Sequence, residues 1–124
     1  MRTNITAAMI IVALYSAVSP SRAEEPDAIS GNFFLPICKE AFSPNRRNDP
    51  LDEYNYGNCV GILDALIVLG PDLGASRRFC PPREATSYEA AQKVIAYLET
   101  RPRALNQNFI QLARDALAQA WPCK

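Results

Sequence analysis

Apolar and polar positions follow the period of an α-helix in four stretches of this chain. The longest runs from Asp49 to Gly70, DPLDEYNYGNCVGILDALIVLG. Val60, Leu63, Leu66 and Ile67 fall on one side of a helical projection, with Cys59, Ile62 and Leu69 close by. That stripe is wider than a surface helix needs, so it predicts a central helix that is mostly buried. Asp49 suits the N-cap and Pro50 the first helical position, while Asp52 and Glu53 place negative charge at the positive end of the dipole. Gly70-Pro71 predicts the stop, with Gly70 in the left-handed position after the helix. Gly57 and Gly61 sit four apart on one face. Each costs a helix about 1 kcal/mol against alanine, so the pair points to another helix approaching closely there, with a mere loosening of the first turns as the alternative. A strand is the competing reading for the ALIVLG tract taken alone.

The other three stretches are shorter. Asn32 to Phe42, NFFLPICKEAF, carries Phe33, Phe34, Ile37, Cys38 and Phe42 on one broad face. Proline is tolerated only in a first turn, so Pro36 predicts that the regular helix begins near Leu35. Thr86-Ser87-Tyr88-Glu89 has the form of a capping box, and Tyr88, Ala91, Val94, Ile95 and Leu98 follow at helical spacing. Arg101-Pro102-Arg103 ends that helix. Leu105, Phe109, Leu112, Ala113, Ala116, Leu117 and Ala120 predict a fourth, closed by Trp121-Pro122-Cys123. Beyond that tract no credible strand pattern, repeat or low-complexity segment appears. The fold class expected is all-α, a single small bundle of about four helices, with neighbours antiparallel because the loops are short.

The first residues read as a targeting segment. Arg2 supplies a positive start, Ile5 to Val18 an apolar run, and Ser21-Arg22-Ala23 small residues at the cleavage positions. The apolar run is about 14 residues long, short of the roughly 20 that a membrane span needs. Residues 1–23 are therefore expected to be a cleaved signal peptide, 24–31 a mobile lead-in and 32–124 the helical domain, exported to the periplasm with no membrane attachment after cleavage. Of the 13 basic residues, Arg2 and Arg22 leave with the peptide, so 11 face 13 acidic ones. Such a slightly acidic domain lacks the basic footprint of a nucleic-acid binder.

Four cysteines in an exported chain of this size read as two disulfides. Three pairings are open to the sequence. Antiparallel first and second helices bring Cys38 beside Cys59, and antiparallel third and fourth helices return Cys123 to Cys80. The expected pairs are Cys38–Cys59 and Cys80–Cys123. The chain has no histidine and no Cys-x-x-Cys pair, so zinc and redox-active sites are not expected. The missing histidine also removes the commonest general base and every Ser-His or Cys-His arrangement, and no phosphate-binding glycine loop appears. No catalytic residue, cofactor or metal is expected, and the chain reads as a non-enzyme. Asp64 interrupts the apolar run of the central helix. Exposure on that helix's wet side is the plainer reading, and a polar anchor or partner contact the sharper one. Trp121 reads as a cap on the core near a disulfide.

The remaining candidate chemistry is basic. Arg46 and Arg47 lie in one predicted loop; Arg77, Arg78 and Arg83 lie in another. Solvated loop charge is the ordinary explanation of such groups. Arginine is also enriched at binding hot spots, so these five are the candidate partner-binding residues.

Several tracts in order carry a family resemblance: SGNFFLPIC at Ser30 to Cys38, CVGILDA at Cys59 to Ala65, FCPP at Phe79 to Pro82, YLETRP at Tyr97 to Pro102 and ALAQAWPC at Ala116 to Cys123. In these the chain resembles the Rap/Tai-type immunity protein family, small exported bacterial proteins that neutralise cell-wall-cutting amidase effectors of the type VI secretion system. The pattern departs at Ile62, where the family commonly has tyrosine, and at the start of the fourth helix, which lacks the usual histidine. The resemblance implies a protein partner, a peptidoglycan amidase effector, and an inhibitory rather than catalytic role. It transfers no individual inhibitory residue, because those lie on variable loops. A homodimer is compatible with the same small domain. The competing function is a periplasmic helical stress protein or chaperone without a toxin partner. Two disulfides weigh against it, since a chaperone that opens in acid needs a loose fold.

Overall fold

A computed structural model describes residues 27–124; the expected signal peptide and the start of the lead-in lie outside them. Four helices follow in order: α1 (Gly31–Ala41), α2 (Pro50–Leu69), α3 (Ser87–Glu99) and α4 (Phe109–Ala120), with 3-10 turns at Gly70–Asp72 and Pro102–Ala104. α1 packs chiefly on α2 and α3 on α4, and the two pairs join through α2 and α3. Leu63, Phe79, Val94, Leu98, Phe109 and Leu117 form the centre of the core, each at most 1% exposed.

The helix starts follow local chemistry. The Asp49 carboxylate accepts from the backbone N–H groups of Leu51 and Asp52, both at 3.0 Å. At α3 both limbs of the capping box form: the Glu89 N–H donates to the Thr86 hydroxyl, and the Thr86 N–H to the Glu89 carboxylate. The Asn108 side-chain oxygen caps α4 in the same way through Ile110 and Gln111. Each such cap is worth about 1 kcal/mol.

The disulfides are Cys38–Cys59 and Cys80–Cys123, with Cα–Cα separations of 5.5 and 4.9 Å. The first is buried between α1 and α2. The second ties the loop before α3 to the end of α4. There the Cys80 N–H also donates to the Trp121 carbonyl at 2.8 Å, and Trp121 packs half-buried against the core.

Five expectations change. First, α1 begins at Gly31, not near Leu35, and Pro36 sits inside it. Ser30 is the N-cap. The N–H groups of Gly31 and Asn32 are satisfied from the α3–α4 connection, by the carbonyls of Gln107 and Leu105. Ser30 is itself buried and bridges Asn108, so the lead-in's last residues are tied to the domain. Second, α4 begins at Phe109; Leu105 lies just after a 3-10 turn and packs on the core from there. Third, Gly70 is right-handed (φ −49°, ψ −46°), and the chain runs on into the 3-10 turn. What requires glycine there is contact, because a Cβ would lie 2.5 Å from the ring of Phe79. Fourth, Gly57 and Gly61 face open space, and an added Cβ would meet nothing within 4 Å. Fifth, α2 is buried along one side only: Leu51, Tyr54, Val68 and Leu69 are more than half exposed.

Candidate partner-binding surface

The five candidate arginines fall into two groups at opposite ends of α2. Twenty helical residues at 1.5 Å each separate those ends by about 30 Å.

Arg46 and Arg47 precede α2 and are engaged within the fold. The Arg46 guanidinium lies 4.3 Å from the centre of the Tyr56 ring and pairs with Glu53 at 2.9 Å. Arg47 Nε lies 3.2 Å from Asp52 and 3.8 Å from Asp49. Asp52 is an otherwise buried carboxylate, 6% exposed, so Arg47 is its charge partner. Backbone N–H donation from Asp52 holds the Asp49 carboxyl below its ordinary range, with Arg47 acting in the same direction. These charges fasten the entry to α2. Phe42 connects this end to α3, with its ring 5.8 Å from Tyr56 and 5.9 Å from Tyr88. Beside them runs a shallow groove of about 400 Å³, lined in part by Phe42, Tyr88 and Ile95. Lys39 and Glu99 also line it and pair with each other at 2.6 Å, which leaves it no net ionic preference.

Arg77 and Arg78 are built differently. Both are exposed, and neither pairs with a carboxylate among the described residues. The loop that carries them is nonetheless fixed at its base. The Phe79 N–H donates to the Gly70 carbonyl at 3.2 Å and closes residues 71–78 into a short surface loop. The Phe79 ring is fully buried beneath Gly70, and Cys80 follows at once with its disulfide. Inside the loop the Arg77 N–H donates to the Gly74 carbonyl at 2.8 Å. The result is an exposed tip from Gly74 to Arg78 on an immobilised base. Arg83 is exposed beyond the disulfide, also without an acidic partner among the described residues.

Two further placements bear on function. Asp64 is exposed on α2, the plainer of its two readings. Val68 and Leu69, 70% and 53% exposed, run directly into the loop and give its base an apolar margin. Leu69 belongs to this exposed face and not to the buried stripe that its spacing predicts. A helical projection that followed Leu51, Tyr54, Gly57, Gly61, Ala65 and Val68 separates this outer face from the buried one. Among the described residues no group of three or more metal-ligating side chains occurs, and no helix is long and apolar enough to cross a membrane.

Fold and surface together define a small cystine-stapled helical domain with an exposed, arginine-bearing loop closed at its base. Residues 30–123 match the family of Rap1a immunity proteins, and the chain belongs to that family. No curated protein and no solved structure gives a significant match.

Proposed function

We propose that this chain is an immunity protein that binds a secreted peptidoglycan amidase in the periplasm and blocks its active site. The observation that carries the reading is membership of an immunity family across nearly the whole described domain. The export-type leader supports the compartment. The 71–78 loop supports the mode of action, because an exposed arginine tip on a fixed base loses little conformational freedom when it docks. Arg77 and Arg78 are the contact residues in this reading, with Val68 and Leu69 at the margin. Arg46 and Arg47 serve the fold.

Co-expression with amidase effectors encoded in the same genome, followed by capture from periplasmic extract, tests the reading. A one-to-one complex that protects cells from the amidase is the expected result. If no enzyme is captured, and cells lacking the protein survive attack by sister cells, the immunity role fails and the helical stress-protein function takes its place. Changing Arg77 and Arg78 together to alanine should weaken the complex by about 2 kcal/mol or more if they form its hot spot.

A further inference from the structure

α3 and α4 border a shallow cavity of about 360 Å³, a volume at the lower end of small-ligand sites. Lys93, Tyr97, Thr100 and Arg101 line it from α3 and its exit, and Gln119 lines it from α4. The remaining lining residues are alanines, so the cavity has room for a small aliphatic group beside its polar atoms. No carboxylate among the described residues lines it.

The fold fixes the Arg101 guanidinium in advance. It stacks on the Tyr97 ring, 3.7 Å from the ring centre. Its Nη1 donates to the Tyr97 carbonyl at 3.1 Å and to the Thr100 hydroxyl at 2.9 Å, and its Nη2 to the Gln119 side-chain oxygen at 3.4 Å. The bond to the Tyr97 carbonyl closes the end of α3, which is the structural work of this residue. Arginine has five N–H donors, and these bonds use three. The Nε hydrogen and one Nη2 hydrogen have no acceptor among the described residues. Nε and Nη2 share the edge of the guanidinium that grips a carboxylate through two parallel hydrogen bonds. The ring takes a face of the guanidinium plane, so stacking does not compete for that edge. Lys93 adds a second cation, exposed and without a carboxylate partner among the described residues. It also borders a neighbouring depression with Glu84 and Glu89 but pairs with neither. Glu89 is engaged with Thr86 in the cap of α3, and Glu99 with Lys39. Two cations held beside small apolar side chains suit an anion attached to a short aliphatic body. We propose that the α3–α4 cavity captures the C-terminal carboxylate of a short peptide with small side chains, with Arg101 gripping the carboxylate and Lys93 adding charge.

The proposal goes beyond the immunity reading and is tested without an effector. The purified, isotopically labelled protein is titrated to millimolar concentrations with N-acetyl-alanyl-alanine, with its C-terminal amide and with inorganic phosphate, and amide NMR shifts are followed. The free acid should give saturable shifts at Thr100, Arg101 and Gln119, and the amide none. Arg101→Lys keeps the charge but loses the two-bond edge, and should raise the Kd about tenfold. Lys93→Gln removes the second cation and should raise it about threefold. Lys93 takes part in no ion pair within the described domain, so circular dichroism of this variant should be unchanged, and it tests the site even if Arg101→Lys loosens the end of α3. Absence of saturable shifts with the free acid overturns the proposal, as does equal binding of the amide. Phosphate that binds as tightly as the free acid also overturns it, because the cavity then reads charge and not a peptide end. So does a Kd that neither variant moves.

Discussion

Replacing Gly70 by alanine tests how the arginine loop is anchored. The added Cβ would sit 2.5, 2.6 and 2.9 Å from three atoms of the Phe79 ring. Ordinary carbon contacts lie at about 3.5–4.0 Å, so ring or backbone must move by roughly 1 Å. Phe79 is fully buried and has little room to give. Overpacking of this kind costs about 1–3 kcal/mol. One effect opposes it. Gly70 has right-handed backbone angles, so alanine there gains up to about 1 kcal/mol from the restricted unfolded chain. The clash should win, leaving a net loss of about 1–2 kcal/mol. For a domain of this size that lowers Tm by about 4–8 °C per kcal/mol.

Thermal and urea unfolding of wild type and Gly70→Ala measure this directly. A second change checks the cause. With Phe79→Leu in place the clash partner is smaller, so Gly70→Ala should cost less in that background, with a coupling of at least about 0.5 kcal/mol. If Gly70→Ala is as stable as wild type, the close approach of Phe79 is not what selects glycine, and the account of the loop's anchor is wrong.

Other outcomes follow from the same geometry. Removing Cys80–Cys123 should cost about 4 kcal/mol by chain entropy for its separation of 43 residues. Mild reductant should open this bridge before Cys38–Cys59, because Cys80 is exposed while Cys38 and Cys59 are buried; alkylation and peptide mapping give the order. Arg47→Ala leaves the buried Asp52 carboxylate without its charge partner and should lower stability by about 1–2 kcal/mol, a range already reduced for the exposure of Arg47. Arg77→Ala and Arg78→Ala, each at an unpaired exposed position, should stay within about 0.5 kcal/mol of wild type in the same melts. The Asp49 carboxyl is held below 3.8 in the folded protein. Its stabilisation is therefore present at neutral pH and is lost as pH falls below that value through the folded pKa. Asp49→Asn should flatten this acid limb of a stability–pH curve, and an unchanged limb would count against the assignment.

The sequence carried the features that depend on short-range chemistry. Asp49-Pro50 and the Thr86–Glu89 box act within one turn, so their residues suffice to place the starts of α2 and α3. The cystine pairing needed only helix order and short loops. What stayed hidden was supplied across the fold. Pro36 argued for a late start to α1, yet the helix begins at Gly31 because Leu105 and Gln107 provide carbonyls from the α3–α4 connection. Those residues lie more than seventy positions away, and no local pattern reports them. Leu105 precedes Phe109 by one helical turn in spacing but is not in a helix, because Pro102 directs the chain into a 3-10 turn first. Gly70 read as a backbone requirement and is a packing requirement, since Phe79 reaches it only in the folded chain.

The arginines show why sequence grouping and surface grouping diverge. Both pairs looked equivalent as basic dipeptides in loops flanking one helix. A twenty-residue helix holds the two loops about 30 Å apart, and only one of them keeps its arginines free of carboxylate partners. Local acids decide which. The start of α2 carries Asp49, Asp52 and Glu53, which favour the helix dipole and also capture Arg46 and Arg47. The exit carries Asp72 alone, and the chain turns away at Gly74 before Arg77 and Arg78. Their charge stays unsatisfied within the domain while Phe79 and Cys80 immobilise the backbone directly after them. A group that is free in charge and fixed in position suits recognition, because the partner gains the ion pairs without first breaking internal ones or ordering the loop. Arg46 would have to leave both Glu53 and the Tyr56 ring before it could bind anything else, and Arg47 would strand Asp52.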